Sequence, residues 1–355
     1  MKKRCDRLLC ALSEKDLDSA IITSPVNIRY YSGFTGGEGV FILCPNGRIL
    51  LTDFRYTIQA KSECSGICEV REINRTVGSE DIEEVLGEYG AERVGFEDAA
   101  LTVAEFERYQ DIPFELVPAS DTINSGRLIK DEYEISQMQR AQSIADAAFA
   151  KLLDFIKPGM TELDVRNELD YYMRRLGAEE NSFDTIVGSG PNGALCHAYP
   201  GMRRLKKGDF VVMDFGCKVN GYCSDMTRTV AIGEPCDELK KIYSIVLEAQ
   251  LRCLNVLKPG MSAGELDFTA RSYISEHGYG KCFGHSLGHG FGLEIHERPF
   301  ASCRSQDILL PGTTVTVEPG IYIEGLGGVR IEDCCAMTQT GYTNFAKSPK
   351  ELIIL

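Results

Sequence analysis

The stretch that most constrains this chain is Gly208-Asp-Phe-Val-Val-Met-Asp-Phe-Gly216, followed shortly by Tyr222-Cys-Ser-Asp-Met-Thr-Arg-Thr-Val230. Both segments are rich in apolar, aromatic and β-branched residues, so both read as strands. Asn220-Gly221 between them tolerates the positive φ that a two-residue turn demands. A hairpin closed there sets Asp214 opposite Thr227 and leaves Asp225 two residues along, on the face that carries Asp214. Two carboxylates side by side on an apolar hairpin repel each other and are costly to bury, and a bound cation removes both problems. Two exposed aspartates at strand ends are the competing reading of the hairpin taken alone.

The rest of the chain favours the cation, because the pattern occurs twice. Gly208, Asp214 and Gly216 recur in type and spacing as Gly312, Glu318 and Gly320. The second stretch turns on glycines at 325, 327 and 328 and returns through Val329-Arg330-Ile331-Glu332, a second acid. Upstream, Lys157-Pro-Gly-Met160 recurs as Lys258-Pro-Gly-Met261. The two offsets, 104 and 101 residues, nearly agree. An internal duplication follows: two similar halves of one domain, each giving a hairpin with two carboxylates. Helical stretches at 132–156, 162–176, 237–257 and 263–277 fit the same order, two helices before each hairpin. Thr161 followed by Asp164 starts the second of them as a capping box.

Residues 1–128 read differently. Short strands at 19–23, 39–43, 48–52, 67–72, 93–96 and 114–118 alternate with helices at 2–15, 54–61, 80–89, 102–109 and 119–127, which makes a small α/β domain with a mixed sheet. Gly33-Phe-Thr-Gly-Gly-Glu-Gly39 lacks the Lys-Ser/Thr of a phosphate-binding loop. It reads as a flexible connection, or as a loop lying over a neighbouring active site. A length of 355 residues is enough for two such domains. The net charge of −14 argues against a nucleic-acid groove or an anionic membrane surface. No apolar run approaches a membrane span, and the amino-terminal one is too short for a signal peptide. Fourteen scattered cysteines with no CxxC pair then read as reduced, mostly buried thiols of a cytoplasmic protein.

Only five histidines occur, and three of them, His285, His289 and His296, fall within Gly284–Glu297. A fourth, His197, closes the matching glycine-rich stretch of the first half. Neutral imidazole is a good ligand for divalent transition metals, and one His with four carboxylates makes a hard, oxygen-rich site. That donor set suits two ions, with Mn²⁺ preferred and Co²⁺, Zn²⁺ or Fe²⁺ also compatible.

These residues carry a family resemblance. The set Asp214, Asp225, His289, Glu318 and Glu332 resembles the five-ligand signature of the pita-bread metallopeptidases. The flanking text matches as well: Met213-Asp-Phe-Gly216, Asn220-Gly-Tyr-Cys-Ser-Asp-Met-Thr-Arg228, Gly288-His-Gly290, Thr316-Val-Glu-Pro-Gly-Ile-Tyr322 and Gly328-Val-Arg-Ile-Glu-Asp333. Asn27-Ile-Arg-Tyr-Tyr-Ser-Gly-Phe-Thr-Gly36 and Thr52-Asp-Phe-Arg-Tyr56 look like the amino-terminal domain of aminopeptidase P and prolidase. The resemblance implies an α+β architecture. A creatinase-type α/β domain at 1–128 serves oligomerisation and lids the active site. A pita-bread catalytic domain at 129–355 follows, with an internal pseudo-two-fold duplication.

It also implies two divalent ions sharing a water or hydroxide. Asp225, with His289 and Glu318, would complete the shell of one ion, and Asp214 and Glu332 would bridge both. Glu318 would double as general base, His296 would bond the scissile carbonyl, and His197 would position substrate and support proton transfer. His285 matches a histidine of the substrate pocket or outer ligand network, and Arg330 an arginine that holds the ligands in place.

The implied substrate is a peptide with a penultimate proline, and the implied assembly is a homodimer. Phe300 stands where some prolidases carry an arginine for a dipeptide's carboxylate, in His296-Glu-Arg-Pro-Phe300. That favours an Xaa-Pro aminopeptidase over an Xaa-Pro dipeptidase, unless Arg298 or Arg304 substitutes. A non-catalytic pita-bread binding module is the remote alternative, and retention of all five ligands speaks against it.

Overall fold

The structure is a computed structural model that describes residues 1–355. It divides into two compact units, Met1–Arg127 and Leu128–Leu355.

The first unit is built on one mixed sheet. Its strands are β1 (Ser19–Ile22), β2 (Val40–Cys44), β3 (Gly47–Asp53), β4 (Glu69–Ile73), β5 (Arg93–Phe96) and β6 (Glu115–Pro118), in the order β4-β3-β2-β1-β5-β6. The β1–β2 and β2–β3 pairs are antiparallel and the other three parallel. β1 and β2 are buried at every position, which explains why both read as unbroken apolar runs rather than alternations. One helix, Pro25–Ser32, has no counterpart in the sequence reading. Asn27, Ile28, Tyr30, Tyr31 and Ser32 are all buried, so no amphipathic period marks it. Its start is fixed instead by Glu97, which accepts bonds from the Thr23 and Ser24 amides at 2.5 and 2.7 Å and from Asn27 Nδ2 at 2.5 Å.

The second unit repeats itself. Helices Glu132–Phe155 and Glu162–Arg175 share a core with Val211, Met213 and Phe215, and helices Asp237–Val256 and Ala263–Glu276 share another with Val315, Val317 and Ile321. Capping boxes at Asp131/Glu134, Thr161/Asp164 and Ser262/Glu265 start three of the four.

Each core carries a hairpin on its inner side. In the first, β7 (Ile186–Ser189) pairs with β8 (Phe210–Phe215), and β8 pairs with β11 (Met226–Ala231). The hairpin continues through β9 (Lys218–Val219) and β10 (Tyr222–Cys223). Asp214 faces Thr227 as expected, and the turn residues Asn220 and Gly221 have φ of 47° and 73°. A short ladder joins β12 (Gly288–Gly290) to β13 (Glu297–Ala301). The second hairpin pairs β14 (Thr314–Val317) with β17 (Asp333–Met337), then β15 (Gly320–Ile323) with β16 (Gly327–Arg330).

The two hairpins match in form, but their second acids do not coincide. Counted one step beyond Phe215↔Met226, where the ladder ends, Gly216 stands opposite Asp225, whereas the matching Gly320 pairs with Arg330. Glu332 falls where the first half has Thr227.

Each hairpin breaks its ladder beside its acids. At the first break Gly216 lies so close to the facing strand that a Cβ there would sit 1.9 Å from Ser224 O. Only glycine fits that approach. Gly216→Ala is therefore expected to force the strands apart and cost about 3 kcal/mol. Urea unfolding checks this, with metal content falling in parallel because the approach sets the position of Asp225.

Candidate metal centre

The two hairpins are sewn together where their acids meet. The Glu332 amide donates to Thr227 O at 3.1 Å, and Thr227 Oγ1 donates to Glu332 Oε2 at 2.7 Å. Arg330 Nε reaches the same hydroxyl at 3.0 Å. Arg228, almost fully buried, donates to Thr227 O, Glu332 O and Asp333 Oδ1. Lys350 joins it on Asp333, and although burial opposes ionisation, the two cations hold that carboxyl below its ordinary range.

Across this seam, carboxylate oxygens of Asp214, Asp225 and Glu332 lie within 4.8 Å of one another. His289 Nε2 lies 3.4 Å from Glu318 Oε1 and 3.7 Å from Asp225 Oδ2. All five residues line one cavity of about 530 Å³.

The tautomer of His289 follows from its partners. Its Nδ1 stands 3.0 Å from Gly290 O, which can only accept, so Nδ1 carries the proton. Nε2 then turns a lone pair toward two carboxylates. Burial lowers the pKa of this imidazole to about 4, so protonation does not resolve the clash near neutral pH. Thr316 fixes the pair: its Oγ1 accepts from the His289 amide and donates to Glu318 Oε1, both at 3.0 Å.

The acids show the same unmet need. Burial, then the charges of their neighbours, pushes Asp225 and Glu332 well above the usual carboxylate range, and burial raises Glu318 to about 8. Asp214 Oδ1 and Glu332 Oε1 are buried without a hydrogen-bond partner. Four acids, a neutral imidazole lone pair and two orphaned oxygens facing one space fit divalent cations, and hard oxygen donors fit Mn²⁺-like ions.

Arg330 caps one end, donating from Nη2 to Asp214 Oδ2 at 2.6 Å. Its Nη1 donates to the Tyr322 hydroxyl at 2.8 Å, and that hydroxyl lies 2.9 Å from His285 Nε2. His285 Nδ1 faces Ser286 O at 2.8 Å, so Nδ1 is protonated and Tyr322 donates to Nε2. Burial and then Arg330 lower the pKa of His285 to about 4. His296 stacks edge-on against His289 at 4.4 Å between centroids, and His197 stands exposed on the cavity wall.

A family model described as metallopeptidase family M24 matches residues 136–339, more than half of the chain. The chain belongs to metallopeptidase family M24. It is a metallo-exopeptidase, and the binding-module alternative is set aside. The Creatinase/Prolidase N-terminal domain matches residues 4–129 of this M24 peptidase. The peptidase is 37% identical to the Xaa-Pro dipeptidase of Pyrococcus furiosus over 99% of this chain and all of that one. Among solved structures it resembles an Xaa-Pro dipeptidase from Bacillus anthracis at 45% identity and TM-score 0.97, covering 99% of both chains. It also resembles an X-Pro aminopeptidase from Thermotoga maritima at 38% identity and TM-score 0.90, covering 97% of this chain and 99% of that one.

Sequence reasoning overlooked Tyr322, Thr227 and Thr316 as parts of this network. Each was quoted within a motif, but a hydroxyl that orients a ligand has no signature of its own. Arg228 was missed for the same reason.

Charge crowding gives the metal-free M24 peptidase a testable pH dependence. Glu318 keeps its proton in the folded chain up to about 8, whereas an unfolded glutamate loses it near 4.5. Above about pH 6.5, where unfolded histidines are already neutral, the folded state binds more protons, so its stability falls as pH rises toward 8. Thermal melts of chelator-treated protein should show this slope, and saturating Mn²⁺ should flatten it.

Proposed function

We propose that this M24 peptidase is an Xaa-Pro dipeptidase that uses two divalent ions, with Mn²⁺ the preferred pair. The observation that carries the reading is the convergence of Asp214, Asp225, His289, Glu318 and Glu332 on one cavity, with the His289 lone pair aimed at carboxylates. The near-complete likeness to proteins named Xaa-Pro dipeptidase supports the dipeptide as substrate.

Divalent ions held there would acidify a nucleophilic water and offset the charge that develops on the scissile carbonyl oxygen. Asp225 is the carboxylate common to the His289–Glu318 contact and the three-acid group. We therefore read Asp225 with Glu332 as the shared ligands and Asp214 as a terminal one, a reversal of the roles that the resemblance implies. Arg330 fixes Asp214 in that terminal place.

Glu318, held beside His289 by the Thr316 hydroxyl, would take the proton of the attacking water. It then returns a proton to the proline nitrogen as the amide breaks. His296, exposed beside His289, donates to the carbonyl oxygen, and His197 orients the substrate from the cavity wall. Tyr322 and Arg330 keep His285 neutral and turned toward them. The homodimer expected from the resemblance belongs to the same proposal, and light scattering should give a mass near twice the 39.3 kDa chain.

A second reading, cleavage of longer peptides, is favoured by Phe300. Across the β12–β13 ladder it faces His289, and it lines the cavity, whereas Arg298 is tied to Asp307 and neither Arg298 nor Arg304 lines that space. Hydrolysis of Ala-Pro and Ala-Pro-Ala by Mn²⁺-loaded protein, with a chelator control, decides between them. Faster cleavage of the dipeptide is expected, and faster cleavage of the tripeptide would make the chain an Xaa-Pro aminopeptidase. Phe300→Arg should move the ratio further toward the dipeptide, by supplying a charge-assisted bond to its carboxylate.

A further inference from the structure

The cavity wall holds a carboxylate that the metal centre does not use. Asp184 lines the same space as the five ligands, is exposed, and makes no side-chain hydrogen bond or ion pair. Its place is not an accident of a loose loop. Asn181 bridges Cys217, and Ile186 pairs with Asp214, both antiparallel. Between those two points one strand advances five residues and its partner only three. Two surplus residues must bulge out of the ladder, as bulges beside active sites do to re-aim side chains.

The neighbours show which two. The Ser182 amide still bonds Gly216 O at 3.0 Å, and Thr185 is buried with its hydroxyl on Asp170 Oδ1 at 2.6 Å. The protrusion therefore falls on Phe183 and Asp184, and both line the cavity. Phe183 and Ile186 flank it in sequence and line the same space, so this strip of chain carries a negative charge among apolar groups. An aliphatic chain tipped by a cation is complementary to such a strip, its methylenes lying on carbon and its head on the carboxylate.

We propose that Asp184 is a specificity-determining residue that selects substrates with lysine or arginine before the proline. This rests on the Xaa-Pro reading and names the residue class that the reading leaves open. The α-ammonium of the substrate is a poorer partner for Asp184. That group lies two bonds from the scissile carbonyl carbon and so stays among the metal-centre acids.

The test compares kcat/KM for Lys-Pro and norleucyl-Pro, which differ by the charge at the chain end, using Mn²⁺-loaded wild type, Asp184→Asn and Asp184→Lys. A solvent-exposed ion pair predicts a preference for Lys-Pro of about fivefold at low salt, shrinking as ionic strength rises. Asp184→Asn should bring the ratio toward one, and Asp184→Lys should invert it and favour Glu-Pro. An unaltered ratio in both variants overturns the inference. So does an equal loss on both dipeptides in Asp184→Asn, which would mark Asp184 as a partner of the α-ammonium. If wild type cleaves neither dipeptide but cleaves longer Xaa-Pro peptides, the dipeptidase reading fails. Lys-Pro-Ala against norleucyl-Pro-Ala then carries the same comparison. Cleavage of none of them overturns both.

Discussion

Mutual repulsion among four carboxylates is the constraint around which the second unit is built. Left alone, Asp214, Asp225, Glu318 and Glu332 would protonate or push apart, and burial, with the charges of neighbouring acids added to it, holds three of them above the usual carboxylate range. The chain relieves that strain only in part with its own cations. Arg330 touches only the Asp214 end, and Arg228 is spent one layer below on Asp333 and on backbone carbonyls. What remains is a space whose charge balance closes only when a cation enters. Folding and metal affinity are therefore two faces of one electrostatic arrangement.

The duplication explains how a chain can hold so much negative charge in one place. Each half packs most of its hairpin on its own pair of helices, and Phe210 and Ala231 of the first hairpin join the core of the second pair, so both cores rest on apolar contacts away from the acids. The cost of the crowded acids falls on the seam between hairpins, where Thr227, Arg228 and Thr229 bond across to the Arg330–Asp333 segment. Buried hydrogen bonds fix the seam, so the acids cannot drift apart to lower their energy.

Much of this was legible in the sequence. The Asn220-Gly221 turn fixed the register that sets Asp214 against Thr227, because a two-residue turn leaves no freedom in pairing. The repeat of Gly208, Asp214 and Gly216 marked the second hairpin for the same reason. The helix Pro25–Ser32 was not legible, since the positions it leaves open are Pro25, Val26 and Arg29, two of them apolar, so no polar face marks it. Nor was the bulge at Phe183 and Asp184, which depends on counting residues between two pairings that only the folded chain makes. The hydroxyls of Thr316 and Tyr322 stayed hidden because a serviceable donor looks like any other polar residue until its partners are known.

The mismatch between the halves carries one more consequence. Where the first hairpin sets Asp225 against Gly216, the second sets Arg330 against Gly320. A repeat that began as two copies thus presents an anion on one side and a cation on the other. Two ions held there would not be interchangeable: His289, Asp225 and Glu318 would hold one end of the site, while at the other Asp214 is already bonded to the Arg330 guanidinium. Such ions would load in steps, tight before loose, and the half-filled protein would be a species of its own. A cell could throttle such an enzyme through the concentration of free metal alone.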